Sequence, residues 1–448
     1  MRRFLRSRRG TLAFAAVVAA IPLIAAVGLG AEAGSWYVTK QHAQNAADAA
    51  AYSGALRLAC TLGAAGGTPC TDARSVDYRG KEFAAQNAFC NAADTAYPSS
   101  RCVTPSAGTT QSVAIATATS AAGPWSNPPG ASFVRATVNQ TQPTYLVAVL
   151  GSLSTVSIGA RAIAQVHSFA SPCVLALTGS ISFQGSPNIV APNCGMASNS
   201  TAQNALNFTG GGMTMNLGSL SAAGGCTGHA TFCNPALTNM PPVSNPFSAL
   251  DSLTLPNLSN CSSSSSLTPY SASTPCKNNN VTLNDPGNTQ ITLTSGVYFI
   301  SGTLQVKGNN PYVGNALFIL LPGATFDMKG SGSFNVTGIP SVQTTQLPAV
   351  LQPNAHPTCE ATNKCLLDNM AIYDRGSDAI KIGGNSNLTF NGTMYLPSAS
   401  VTFQGNPTVN ACGELIAASV AFNGNATFNN TGCSSPTKPN SVYVSLVK

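Results

Sequence analysis

The apolar positions at the start of the chain form an unbroken run before they form a stripe. Residues 11–31, TLAFAAVVAAIPLIAAVGLGA, are 21 consecutive positions without a charge. At 1.5 Å per residue a helix of this length rises about 30 Å, the thickness of a bilayer's hydrocarbon core. Pro22 bends such a helix, which a membrane span tolerates better than a soluble helix does. Helical spacing continues through residues 34–59 with no proline, but small residues replace bulky ones. The pattern predicts a single helix of about 50 residues, half in the membrane and half outside it. Trp36 and Tyr37 fall where an interfacial aromatic belt lies.

Residues 60–130 lose this regularity. A short helix is expected around residues 76–88, and alternation in FVRATVNQT and LSTVSIGARAIAQV predicts strands. From about residue 171 a new unit recurs: an apolar–polar–apolar triplet, a glycine, one or two polar residues, then another β-prone run. It reads ISFQGSPNIV, LQVKGNNPYV, FDMKGSGSFNV, IKIGGNSNLTF, VTFQGNPTVN and VAFNGNATFN. Gly185 and Gly210 are 25 apart, Gly308 and Gly330 are 22 apart, and Gly384, Gly405 and Gly424 follow at 21 and 19. Short strands repeating at that period, with Gly and Asn at the turns, predict a right-handed parallel β-helix; a β-sandwich is the alternative. The expected organisation is a basic segment at 1–10, a transmembrane helix at 11–31, a small α+β domain at 32–167 and a β-helix-like domain at 168–448. Disulfide-pinned insertions are expected near 224–284 and 340–365, where proline, serine and cysteine interrupt the repeat.

Charge changes the picture once it is located. Only 8% of residues are charged, against about 25% in an ordinary soluble domain. The formal excess of +7 lies wholly in residues 1–167, and Arg2, Arg3, Arg6, Arg8 and Arg9 supply five of its cations. That cluster is topogenic: it favours a cytoplasmic N-terminus in a single-pass inner-membrane protein, with the bulk of the chain periplasmic or surface-exposed. It is no surface for a phosphate backbone, and nucleic acid is excluded as a partner. A cleaved signal peptide ending near residues 31–33 is the rival reading, disfavoured because the helical pattern runs on.

Fourteen cysteines with no CxxC pair and only four histidines point to disulfides in an oxidising compartment, not to a zinc site. Cys173 with Cys194 and Cys359 with Cys365 are candidate local pairs; the connectivity stays open. No metal or cofactor is expected. One acidic cluster, Asp374 and Asp378 with Arg375 and Lys381, offers an acid/base pair for glycan chemistry, or else a solvated turn between rungs; the turn is preferred, because no second acidic cluster lies at a rung spacing. His42, His167, His229 and His356 sit in unrelated contexts. The chain is expected not to be an enzyme.

The stretch from residue 8 to 55, RRGTLAFAAVVAAIPLIAAVGLGAEAGSWYVTKQHAQNAADAAAYSGA, resembles the N-terminus of TadG-like proteins of the Tad/Flp pilus assembly system. The resemblance rests on Arg-Arg-Gly before the span, mid-span Pro22, an acidic residue ahead of the aromatics and above all QNAADAAA. Residues 134–166 resemble the strand–loop–strand region that closes the same domain. Glu32 stands where the family commonly has Asp. No DxSxS sequence occurs, so the metal-dependent adhesion domain of larger members is not implied. A prepilin would need glutamate five residues past its cleavage glycine; after Gly10 that position is Ala15. The resemblance implies a non-enzymatic, membrane-anchored envelope protein supporting pilus assembly or surface attachment, with the inner membrane and other Tad/Flp proteins as partners; the polar, uncharged Asn-, Thr- and Ser-rich exterior suits glycan or peptidoglycan as a further ligand. A membrane-tethered polysaccharide-binding or polysaccharide-degrading β-helix is the alternative. Ala43, Ala46, Ala47, Ala50, Ala51 and Gly54 are the candidate helix-packing surface, either against the helix's own domain or against similar subunits.

Overall fold

The computed structural model describes residues 8–65, 70–92, 94, 96–149, 154–169, 171–261, 267–284, 289–362, 365–431 and 441–447. Arg2, Arg3 and Arg6 lie outside them. The chain divides into two units, residues 1–168 with 439–448, and residues 169–438.

The first unit is built on α1 (Arg8–Ala65), a single helix of 58 residues with Pro22 inside it. α2 (Val76–Gln86) follows, capped by Ser75, whose Oγ accepts the Tyr78 N–H at 3.0 Å. Next come β1 (Thr110–Ala118), β2 (Phe133–Pro143), the short α3 (Leu146–Val149) and β3 (Thr155–Phe169). β1, β2 and β3 form an antiparallel ladder. The fourth strand of this sheet, Ser441–Leu446, lies beside β3. The expected boundary at 168–448 is thereby corrected, since the strand Ser441–Leu446 belongs to the first unit's sheet. Period-2 alternation puts Val134, Ala136 and Val138 of β2, and Ala160, Ala162, Ala164 and Val166 of β3, into one core with the buried alanines of α1. Cys60–Cys70 and Cys90–Cys102 are bridged in the irregular region.

The second unit is a parallel β-solenoid, and its parallel ladders exclude the sandwich. Each turn passes through three faces. The first carries 296–300, 316–320, 370–374, 393–396, 414–417, 174–176, 195–198 and 219–222. The second carries 303–306, 325–328, 380–384, 401–405, 420–424, 181–185, 206–208 and 226–228. The third carries 311–315, 333–337, 387–391, 408–412, 427–429, 188–190 and 214–216. Inside, Phe403, Phe422, Phe183 and Phe208 stack with successive ring centroids 4.9, 5.4 and 4.8 Å apart. The periodic glycines form the corner between the second and third faces. Gly384, Gly405, Gly424 and Gly185 are register partners, all with positive φ. A Cβ on Gly424 would come within 2.7 Å of the Gly405 carbonyl oxygen, so this corner excludes a side chain twice over.

Two features depart from a simple coil. The strands of 172–228, first in sequence, stack on the last ones: 408–424 pairs with 172–176 and 181–185, and 427–429 with 188–190. The chain is next found at the other end of the stack, where 259–260 pairs in parallel with 276–277 and 276–284 leads into the remaining rungs. The expected insertion at 224–284 is therefore narrower, because 226–228 and 276–284 are themselves solenoid strands. The outer surface of the first face is also apolar. Phe299, Ile319, Tyr373 and Tyr395 lie under Phe247, Leu250, Leu347, Leu351 and Leu367 from the two inserted segments. The Tyr373 hydroxyl donates to the Leu250 carbonyl at 2.8 Å. NALFILLPG thus becomes a strand buried on both sides, and the insertions are its cover.

Candidate functional site

The helix α1 changes character along its length. Val17, Leu23 and Val27 are 65, 63 and 69% exposed, large apolar side chains left mostly uncovered by the described residues. The helix is long and apolar enough to cross a bilayer. Beyond residue 42, one face turns inward: Ala43, Ala46, Ala47, Ala50 and Ala51 have no exposed surface. Gly54 belongs to the same face, where a Cβ would meet the Val134 side chain at 3.0 Å. Their smallness lets the helix lie close on its own sheet. The subunit-docking alternative is corrected accordingly, because this face is already occupied within the chain.

Between the two regimes sits Glu32. Its two carboxylate oxygens accept the backbone N–H groups of Tyr145, at 2.7 Å, and Val147, at 3.2 Å. The carboxylate thus ties the helix, where it leaves its apolar stretch, to the turn between β2 and β3. Asp has one methylene less reach, so Glu at this position is matched to this span. Sequence reading saw the charge at Glu32 but not its partners, which are 113 and 115 residues away.

The acidic cluster does not assemble into a site. Asp374 is fully buried, and its Oδ1 accepts the Gly376 N–H at 2.7 Å. Burial pushes its carboxyl up to about 7. Asp378 and Lys381 are exposed, and Lys381 is the register partner of Asp327. One carboxyl faces in and the other out, which is the arrangement of a turn. Sequence reading gave His356 no role, yet it is clamped: its ring nitrogens lie 2.8 Å from Glu360 and 2.6 Å from Asp368. Both carboxylates hold the imidazole above its ordinary protonation range. Cys359 and Cys365 lie near this imidazole, but they are bridged to one another and offer no thiolate to a metal. Cys173 is bridged to Cys194, one rung apart, and Cys226–Cys233 and Cys261–Cys276 pin the crossing segment.

The most ordered chemistry lies on the third solenoid face. Its outward residues stack into columns. One runs Ser333, Asn387, Thr408, Thr427, Asn188, Thr214, and its neighbour runs Asn335, Thr389, Asn410, Asn429, Val190, Asn216. All are exposed or half-buried, and none is charged. Parallel strands set the repeat along a column at about 4.8 Å. Some members hydrogen-bond along the column, as Asn429 Nδ2 does to Asn410 Oδ1 at 3.4 Å. The second face differs: Lys307, Asp327, Lys329 and Lys381 give its early rungs charge, and Asp327 pairs with Lys329 at 2.7 Å.

Residues 10–57 match the Tad family model, Flp pilus-assembly TadE/G-like. No curated protein matches the chain. Among solved structures the chain is similar to the ice-binding protein_1 DUF3494 domain of Shewanella frigidimarina, at 17% identity and a TM-score of 0.29, over 59% of this chain and all of that one.

Proposed function

We propose, from the TadE/G-like segment at residues 10–57, that this chain is a non-enzymatic, single-pass inner-membrane protein that supports Tad/Flp pilus assembly or surface attachment. The observation that carries the reading is the coincidence of that segment with the two regimes of α1. The match covers both the exposed apolar stretch and the small-residue stretch that packs on the sheet. A helix with unpartnered Val and Leu on every side is stable in lipid, where its backbone is already satisfied. Arg8 and Arg9 before it favour a cytoplasmic N-terminus, and on that reading the disulfide-bonded chain after the span lies outside the cytoplasm, where disulfides persist. On this reading α1 is the anchor, and the solenoid serves as a scaffold or an attachment surface.

Deletion of the gene, with pili counted by electron microscopy, tests the role. Loss of pili, restored by the wild-type gene, is the expected result. Normal piliation would remove the assembly function.

A second reading is favoured by the third solenoid face. An uncharged array of mostly hydroxyls and amides repeating at about 4.8 Å suits weak binding to a repetitive uncharged surface, such as a polysaccharide. Pull-down of the full chain on insoluble polysaccharides, with ice as a glycan-free surface, distinguishes it. Binding abolished by Thr408→Lys and Thr427→Lys supports a ligand for this face. Equal binding by that variant removes it.

A further inference from the structure

The face of the first unit's sheet turned away from α1 holds a cavity of about 620 Å³. Its floor is alternate residues of two neighbouring strands, Phe133 and Arg135 of β2 with Arg161, Ile163 and Gln165 of β3. Trp125 and Val447 form part of its rim. Arg135 lies opposite Ile163 and Arg161 opposite Thr137, so the two arginines are diagonal neighbours on one face. No acidic side chain lines the cavity, and neither guanidinium has an ion pair among the described residues. Arg135 is instead stacked over the Trp125 ring, 4.6 Å from its centroid. Burial, with Arg161 nearby, lowers the Arg135 guanidinium from its ordinary range. Two like charges drawn together in a half-apolar pocket cost free energy that an anion between them would recover.

We propose that this pocket binds a carboxylate flanked by an apolar side chain, as an acidic peptide segment of a partner protein presents it. The guanidiniums supply fork-shaped donors for the carboxylate, and Trp125, Phe133 and Ile163 supply the wall for its neighbour. A lipid headgroup is out of reach, a step that rests on the membrane-anchor reading. Gln44 Nε2 reaches the Arg161 carbonyl, at 3.5 Å. Gln44 stands thirteen residues past Ala31, so the pocket lies about 20 Å along the helix from the end of the span. The headgroup layer is only about 5–8 Å deep.

The test uses the full chain in detergent micelles with Trp36→Phe, which leaves Trp125 as the single indole reporter. The probe is the peptide acetyl-Ala-Phe-Glu-Phe-amide, with its Glu-to-Gln twin. A saturable change in Trp125 fluorescence is expected for the acidic peptide. Binding should weaken at least tenfold for the twin, at least tenfold in Arg161→Gln, and progressively with added salt. Arg161 is exposed, so that variant should keep its circular dichroism and its melting curve. Calorimetric titration of the unaltered protein gives the same comparison without the Trp36 change. Equal binding of the twin, an unaffected Arg161→Gln variant, or no saturation by 10 mM would overturn the proposal. Tighter binding of inorganic phosphate than of the peptide would overturn the peptide assignment. None of these outcomes depends on pilus counts, so this proposal and the assembly role fail separately.

Discussion

At the scale of single residues, some of the chain's few charges are held by several partners. Glu32 accepts two backbone amides, and His356 is clamped by two carboxylates. Asp374 is held less fully, since its buried Oδ2 has no hydrogen-bond partner among the described residues. Its carboxyl is raised from 3.8 to about 7. A raised carboxyl is fully compatible with the fold below pH ~4, the unfolded value, and the stability tied to it is lost as pH rises through about 7. Three pKa units correspond to about 4 kcal/mol at most. Asp374→Asn keeps the acceptor for Gly376 and removes the ionisation. Urea unfolding at pH 4.5 and pH 8 is expected to show the variant gaining much more on the wild type at the higher pH, because the loss accrues between the unfolded and folded values. His356 also weakens the fold as pH rises, since its clamp raises its protonation range. Comparing the variant with the wild type at each pH cancels that contribution. Sequence reading singled out Asp374 as a candidate acid. Its burial was not legible, because it comes from the stacking of 370–374 on a strand some fifty residues away, with Leu320 its register partner.

At the scale of elements, α1 was legible in both halves, since an uncharged run of 21 residues and a continuing helical pattern need no tertiary context. What the alanine stretch packs against was not legible, because small residues permit close approach to any partner. The sheet supplied that partner. Ala47→Leu is now expected to overpack the interface with β2 and β3 and to destabilise the first unit by about 1–3 kcal/mol. Limited proteolysis of the full chain should show earlier cleavage within 70–150, while Val17→Ala, on the exposed stretch, should leave that pattern unchanged. A Leu variant as resistant as the wild type would mean that the face is not packed on the sheet. The solenoid strands were legible through the glycine period, because each turn must pass the same corner with positive φ.

At the scale of the whole molecule the discontinuous stacking decides stability. The strands of 172–228 cover the ladder edges of 408–424 and 427–429. Deleting 169–228, with Cys233→Ser to avoid an orphaned thiol, should expose those edges as templates for other chains. Size-exclusion chromatography is expected to show aggregation, and a well-behaved monomer would contradict the stacking order. Composition, the charge cluster, the long apolar helix and the repeat were determined by sequence alone, because each rests on local spacing: 1.5 Å per residue, alternate side chains, a glycine at each corner. The tertiary structure alone decided which rungs adjoin, that the last strand returns to the first sheet, that the insertions roof an apolar face, and that two arginines 26 positions apart share one cavity. Those outcomes depend on which distant surfaces bury one another, and a parallel ladder bonds equally well to any strand with the same alternation.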